Sequence, residues 1–276
     1  MPTELPRPII MAKAFGDARV RIHTFISAFT GDNIANATHI IESPNCLVLV
    51  DGQFLSFYAR KFREYADRLR KPIERLYLSH RHPDHWFGLA TAFADIPVYA
   101  LSETKSFLET DGVASIQDHW KLGDFAPETV PIPQKIVSPG EETIDGVQYV
   151  LEEVTNTEID FLLSIGLPEL RVCIPQDLVY SGTHLYLTKE MGHWISVLET
   201  LLLSDYEVFL AGHGLPADKN EVARNIEYLS AARQAAGDGL TDTAFRDFLL
   251  KRYPERRCPG IFDIYMPRLF GNAQDF

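Results

Sequence analysis

The feature that most constrains this chain is the segment Leu76-Tyr-Leu-Ser-His-Arg-His-Pro-Asp-His-Trp-Phe-Gly88, where three histidines and one aspartate lie within six residues. The apolar run 73–78 leads into it and is typical of a buried strand, and Trp86 stands at the predicted start of a helix. Polar groups at the end of a buried strand are where α/β proteins usually place their chemistry. Imidazole and carboxylate are ligands that zinc, iron and manganese share, and four of them this close can serve two adjacent ions. The segment therefore predicts a metal site formed by His80, His82, Asp84 and His85.

The pattern His80-x-His82-x-Asp84-His85 resembles the signature of the metallo-β-lactamase-fold hydrolases. The resemblance implies that the first two histidines bind one metal, and that the aspartate and the third histidine bind a second. It also implies an α/β fold, a four-layer αββα sandwich of two mixed β-sheets flanked by helices. We expect a single domain over residues 1–276, with C-terminal helices, about 217–276, packed on it.

The predicted order of elements agrees with two packed sheets. Strand-like patterns occur between residues 19 and 50 and again between 143 and 174, where Asp145-Gly146 indicates a hairpin. Helical spacing of apolar residues predicts helices over 54–69, 103–120, 193–203, 221–235 and 241–253. Two β-rich regions, each followed by helices, are what two sheets with outer helices would give.

A proline-rich segment separates the two β-rich regions. Residues 121–140 contain four prolines, so we expect a long irregular surface loop. Such loops often form the wall of a substrate site. His119 and Trp120 lie at its base, where each either contacts substrate or packs.

Two further ligands are implied by the resemblance. Asp177 follows the predicted strand 171–174 and looks like the carboxylate that bridges both metals, although Gln176 stands where the family usually has glycine. His213 follows the predicted strand 207–210 and looks like the last histidine of the second metal site. The glycines on both sides of His213 allow a sharp turn that directs the imidazole inward.

The chain departs from the family pattern at one ligand. The family usually has Gly-His-Thr-Pro-Gly at the end of the hairpin strand, whereas this chain has Val154-Thr-Asn-Thr-Glu-Ile-Asp160. Alignment of the next strand places Glu158 at the position of that histidine, and a carboxylate is a competent ligand for zinc, iron or manganese. Because strand side chains repeat every two residues, Asn156 and Asp160 remain alternatives. A single-metal or weakened first site is a further alternative.

The proposed ligands also set the charge of the site. Asp84, Asp177 and Glu158 supply three carboxylates to two divalent ions, and a bridging hydroxide would then make the centre neutral. A neutral centre favours a neutral or zwitterionic small-molecule substrate over a polyanion. We expect two Zn²⁺ ions, and because the ligand set contains no thiolate it also admits iron or manganese.

The resemblance implies a metal-dependent hydrolase that uses a metal-bridging hydroxide on an ester-, lactone-, thioester- or amide-type small molecule. Asp84 and Asp177 would orient the nucleophile, and His184 is a candidate proton donor whose alternative role is packing. The same ligands permit a non-haem iron oxidoreductase on this fold. The missing histidine and Gln176 also leave open a non-catalytic scaffold with an impaired metal site.

The composition and the first residues of the chain limit which partners and which cellular compartment we expect. A formal net charge of −12 disfavours nucleic acid as a partner. The start Met1-Pro-Thr-Glu-Leu-Pro lacks the pattern of a secretory signal, and no segment approaches the ~18 apolar residues of a membrane span. The three widely spaced cysteines imply no disulfide framework. We therefore expect a cytoplasmic protein without a membrane partner, with the oligomeric state open and a homodimer among the alternatives.

Overall fold

The computed structural model describes residues 5–16 and 18–271. Residues 1–4, part of the segment behind the expectation about secretion, lie outside the described residues, as do Asp17 and residues 272–276. Over the described ranges the chain forms two β-sheets and eight α-helices.

The first sheet is mixed and contains seven strands in sequence order. They are β1 (Ile9–Phe15), β2 (Val20–Ile26), β3 (Ala37–Glu42), β4 (Leu47–Val50), β5 (Ile73–Tyr77), β6 (Val98–Ala100) and β7 (Lys135–Ile136). Strands β1 to β4 pair antiparallel, and β4 to β7 pair parallel. The parallel half directs the carboxyl end of β5 to one edge of the sheet, where the histidine-rich segment begins.

The second sheet is also mixed and has five strands in the order β12-β11-β10-β9-β8. They are β8 (Gly140–Ile144), β9 (Val147–Thr155), β10 (Phe161–Leu167), β11 (Val172–Ser181) and β12 (Val208–Gly214). Only β11 and β12 pair parallel. The predicted hairpin is confirmed: Asp145 and Gly146 both have positive φ, as a two-residue hairpin turn requires.

Helices flank both sheets. They are α1 (Ser56–Arg68), α2 (Pro83–Ala92), α3 (Ser102–Thr110), α4 (Gly112–Asp118), α5 (Met191–Leu203), α6 (Lys219–Gly237), α7 (Asp242–Arg252) and α8 (Ile261–Leu269). Within the described residues, no helix is long and apolar enough to cross a membrane.

Separate apolar cores join these layers. Phe62 of α1 and Phe87 of α2 pack against the first sheet, while Tyr77 and Ile165 belong to the core between the sheets. Trp194 belongs to the core between the second sheet and its helices. Burying side chains of this size contributes roughly 1.5–3 kcal/mol each. The expected four-layer αββα sandwich of two mixed sheets is confirmed.

The two sheets also meet directly near the ends of β5 and β12. The backbone N–H of Leu163 donates to the carbonyl of Ser79 at 2.8 Å, and that of Gly214 donates to the carbonyl of Ala35 at 2.9 Å. Loops of the first sheet are therefore held against strands of the second sheet at this edge, where the predicted metal ligands lie.

Several predicted boundaries were wrong. The strands expected over 171–174 and 207–210 extend to Ser181 and Gly214, so Asp177 and His213 lie inside β11 and β12 instead of after them. The register of β11 against β12 shifts twice around Gln176, whose φ is 46°. This irregularity breaks the alternation of side chains on which the strand prediction depended.

Three other elements differ from expectation. The helix predicted over 103–120 is divided at Asp111 into α3 and α4. The loop 121–140 is largely irregular, but it contains the short strand β7, which extends the first sheet. Strand β1 and helix α8 were not predicted, and Pro267 near the end of α8 explains why that segment did not appear helical.

Candidate metal centre

The histidine-rich segment joins β5 to α2. His80 follows the strand, His82 is the residue before the helix, and Pro83 is its first residue. Proline is favoured there because its fixed φ suits a helix start and it has no N–H to leave unpaired. The helix thus begins three residues before Trp86, where its start was predicted, and its first turn carries Asp84 and His85.

The structure brings all seven predicted ligand residues together in two groups. Within each group, one candidate ligand atom per residue lies within 4.8 Å of the others. The first group is His80, His82, Glu158 and Asp177, and the second is Asp84, His85, Asp177 and His213. Asp177 belongs to both groups, the arrangement expected of a bridging carboxylate.

Interatomic distances show how compact the second group is. Nε2 of His85 lies 3.3 Å from Oδ1 of Asp177, and Nε2 of His213 lies 3.2 Å from its Oδ2. Oδ2 of Asp84 lies 3.3 Å from the same nitrogen of His213. The two oxygens of Asp177 therefore face different imidazoles.

The first group is completed by Glu158, in the turn between β9 and β10. Its side chain is fully buried, and its Oε1 lies 3.1 Å from Nδ1 of His82. Asn156 and Asp160, the alternatives two residues away, are exposed, and Asp160 pairs with Arg81 at 3.2 Å. Of the three candidates, only Glu158 points into the site.

Several ligand atoms lack hydrogen bonds. Both carboxylate oxygens of Glu158, Oδ1 of Asp177 and Nε2 of His85 are buried without a hydrogen-bond partner among the described residues. Leaving buried charged groups unpaired is strongly unfavourable. These atoms all belong to residues of the two groups. Imidazole and carboxylate are suitable donors for zinc, iron or manganese. The residues present therefore fit a pair of divalent ions.

Burial and neighbouring charges shift the pKa values within the site in opposite directions. Burial alone would lower the pKa of His213, but the carboxylate of Asp177 outweighs it and raises the pKa to about 9. Burial would raise the pKa of Asp177, but the imidazoles of His85 and His213 lower it well below its usual range. Burial raises the pKa of Glu158. Divalent ions would replace the protons that these imidazoles otherwise hold.

Residues that are not candidate ligands themselves fix the orientation of the ligands through hydrogen bonds. Asp51, the residue that follows β4, accepts a hydrogen bond from Nδ1 of His85 at 2.7 Å, which leaves Nε2 facing the site. Asp51 also accepts from the backbone and hydroxyl of Ser79, each at 2.7 Å, and from the side-chain amide of Gln176. Gln176 thus replaces glycine at a positive φ and uses its side chain to hold Asp51.

A cavity of about 170 Å³ opens on both groups. Its apolar lining includes Phe54, Tyr186 and, from α8, Ile261 and Ile264. The polar lining that is not part of the two groups consists of Asp32, Ser115, Asp118, His119, Tyr180 and Arg268. The site therefore suits a small organic substrate with an apolar part.

The two residues at the base of the loop have different positions. His119 lines the cavity, with its ring packed edge-on against Phe54 and Phe87. Trp120 is 72% exposed and is absent from the lining.

His184 is not brought to the site. Its Nδ1 lies 3.0 Å from the hydroxyl of Tyr228, its ring packs against Phe262, and it is absent from the cavity lining. Burial lowers its pKa to about 4. The placement corrects the expectation of a proton donor and favours the alternative, packing.

Sequence reasoning missed several residues of the site. Asn36 donates to Oδ2 of Asp84 at 3.3 Å, and Arg268 reaches the cavity from α8. The segment Thr30-Gly-Asp-Asn33, which precedes Asn36, is typical of a turn and gives no indication of chemistry. Arg268 lies in a helix that was itself not predicted.

The fold and the site define a class: αββα proteins with two metal-ligand groups that share one carboxylate at the edge of two sheets. The sequence model of the metallo-beta-lactamase superfamily matches residues 31–213, and the chain belongs to this superfamily. No curated protein sequence matches the chain.

Solved structures with the same fold have low sequence identity to this chain. A metallo-beta-lactamase from Pontibacter korlensis superposes with a TM-score of 0.62 at 16% identity, over 80% of this chain and 99% of the other. The mono-zinc form of FIM-1 from Pseudomonas aeruginosa gives 0.60 at 16% identity, over 83% and 98%. A metallo-beta-lactamase from Erythrobacter litoralis gives 0.59 at 14% identity, over 82% and 100%. These similarities establish the fold.

Proposed function

We propose that this protein is a metal-dependent hydrolase whose two divalent ions share Asp177. The observation that carries the proposal is the pair of four-residue groups with this one aspartate in common. The buried ligand atoms that lack hydrogen bonds support it, since a bound cation would stabilise them.

The metal in this proposal is zinc, with two ions per chain. Each group offers two imidazoles and two carboxylates, a combination that zinc accepts. One structure of the same fold, FIM-1, is a mono-zinc form, which supports zinc as the first metal to test.

The bound ions would lower the pKa of water to near 7 and polarise a substrate carbonyl. The protein's own residues hold and orient the reacting groups. Asp51 fixes the ring of His85, and Asn36 holds the carboxylate of Asp84 at the wall of the cavity. In this proposal, Asp84 would pass a proton to the leaving group. The hydroxyl of Tyr180 donates to Oδ2 of Asp177 at 3.2 Å and orients the shared carboxylate.

The substrate in this proposal is a small ester, lactone, thioester or amide. The small cavity and its apolar wall from α8 favour a compact organic molecule. The net charge of −12 disfavours nucleic acid.

Replacing the shared carboxylate tests the proposal. Asp177→Ala should lower hydrolysis of any accepted substrate by at least about 100-fold, because both ions lose a ligand and the nucleophile loses its orientation. The measurement is turnover of zinc-loaded protein on a panel of small esters, lactones, thioesters and amides. Asp247→Ala, which removes an exposed carboxylate of α7 outside the cavity lining, is the control and should retain activity. Near wild-type turnover by the Asp177 variant would refute the shared-carboxylate role.

A second candidate is a non-haem iron oxidoreductase, favoured by the absence of thiolate among the candidate ligands. Plasma emission analysis of protein purified without added metal separates the candidates. Two zinc ions support the hydrolase, whereas iron with visible absorbance supports the oxidoreductase. Absence of bound metal supports a non-catalytic scaffold.

A further inference from the structure

The second ligand group is held from one side by the turn between β2 and β3, residues 27–36, here called the 27–36 turn. The carbonyl of Ile34 accepts a hydrogen bond from Nδ1 of His213 at 2.9 Å. The side-chain amide of Asn36 donates to Oδ2 of Asp84 at 3.3 Å. Two of the four candidate ligands in this group thus depend on the shape of one turn.

The backbone of this turn is strained. Ala28, Asn33 and Ala35 have positive φ values of 75°, 64° and 54°. The left-handed region is unfavourable for alanine, because its Cβ lies too close to the following carbonyl oxygen. The turn therefore requires stabilising contacts to keep this shape.

Asp32 supplies these contacts. Its Oδ1 accepts from the backbone N–H groups of Ile34 at 3.1 Å and Ala35 at 2.9 Å. Its Oδ2 accepts from the hydroxyl of Ser27 at 2.5 Å. One carboxylate thus ties the start of the turn to the residues that contact the ligands.

The contact with His213 determines which ring nitrogen faces the site. Because Nδ1–H donates to the carbonyl of Ile34, Nε2 is left as the atom that faces Asp84 and Asp177. A change in the turn would release the ring from this tautomer and orientation. The other group, with His80, His82 and Glu158, has no contact of this kind with the turn among the described residues.

We propose that Asp32 is a positioning residue for the second ligand group, and that its carboxylate holds the 27–36 turn so that His213 and Asp84 point at one ion. The proposal rests on the proposed function in so far as an ion binds there. Asp32 acts by holding the 27–36 turn and is not itself a metal ligand.

Zinc titration against a chromophoric chelator tests the role. Asp32→Ala should weaken one of the two zinc sites about 10- to 100-fold, the usual effect of losing an orienting partner, and leave the other within about twofold. Asp32→Asn should retain both, because its carbonyl oxygen can accept from Ile34 and Ala35 and its amide can donate to Ser27. Asp247→Ala, which removes an exposed carboxylate of α7 outside the cavity lining, is the control and should retain both zinc sites.

Two outcomes would overturn the proposal. One is wild-type affinity at both sites in Asp32→Ala. The other is equal weakening of both sites without rescue by Asp32→Asn, which would indicate a general loss of stability.

A wild-type protein that binds no divalent ion would refute the proposed function, and a second measurement then still decides the role of Asp32. In a metal-free crystal structure of Asp32→Ala, the hydrogen bond from His213 to Ile34 should be lost. Its persistence at 2.9 Å would contradict the proposal.

Discussion

At the scale of single residues, the proposed first metal site depends on the carboxylate of Glu158. It is buried beside His82, and both of its oxygens lack hydrogen bonds. A carboxylate at this position adds a negative charge that a histidine would not. The first ion would therefore be held more by charge than in a site with three histidines.

We predict that Glu158→Ala weakens the first zinc site selectively, because that group loses one of its four donors. Glu158→His should keep two zinc ions, since imidazole is an equivalent donor. The measurement is zinc stoichiometry and affinity by calorimetric titration. Asp160→Ala, which alters the exposed carboxylate two residues away, is the control. If Glu158→Ala bound two ions as tightly as wild type, another group would have to be the ligand.

His184 gives a prediction about pH and stability. Its folded-state pKa of about 4 lies below the ordinary value of 6.5, so the unfolded chain binds the proton more readily. The stability from burying this neutral ring is present above pH 6.5 and is lost as pH falls towards 4.

Between pH 7 and pH 5, metal-free wild type should therefore lose about 1 kcal/mol more unfolding free energy than His184→Gln. Urea unfolding at both pH values measures this difference. His193→Gln, at an exposed position of α5, is the control and should follow the wild type. Equal losses in wild type and His184→Gln would show that this ring does not contribute.

At the scale of elements, α2 connects the metal ligands to the core of the first sheet. Gly88 lies where α2 crosses α1, and a Cβ there would lie 2.5 Å from the Cβ of Ala59 and overlap the carbonyl of Gly52. The backbone N–H of Gly52 in turn donates to the carbonyl of His85 at 2.8 Å. The position of α2, and with it of Asp84 and His85, depends on this close approach.

Gly88→Ala should destabilise the protein by about 1–3 kcal/mol, because the added methyl group overpacks this contact. Thermal unfolding measures the effect. Gly237→Ala, in the last turn of α6 with nothing within 4 Å of the added Cβ, is the matched control. It should be neutral or stabilise by up to about 1 kcal/mol. Similar melting temperatures for both variants would contradict the predicted close contact.

How far the sequence predicts these elements depends on their regularity. The αββα fold, the Asp145-Gly146 hairpin and the grouping of His80 to His85 followed from local patterns and from the resemblance to a family. The extent of β11 did not, because its register shifts around Gln176 and its side chains do not alternate regularly. Helix α8 was missed because Pro267 lowers the helix propensity of a segment that tertiary packing makes helical. The contact of the 27–36 turn with His213 uses the backbone carbonyl of Ile34, which leaves no signal in residue types.

For the whole molecule, the part that matches the superfamily ends at His213, whereas one wall of the cavity comes from beyond it. Ile261, Ile264 and Arg268 of α8 border the same cavity as Asp84, Asp177 and His213. The candidate ligands thus lie in the part that matches the superfamily, while a C-terminal helix forms one wall of the cavity beside them. Substrate preference is therefore expected to depend on this chain's own C-terminal segment.

The central claim, two ions that share Asp177, is tested most directly by anomalous diffraction at the zinc edge on crystals of protein purified without added metal. Two peaks are expected about 3.5–4 Å apart, and each should have an oxygen of Asp177 at about 2.0–2.2 Å. His80, His82 and Glu158 should surround one peak, and Asp84, His85 and His213 the other. A single peak, or two peaks of which only one contacts Asp177, would contradict it.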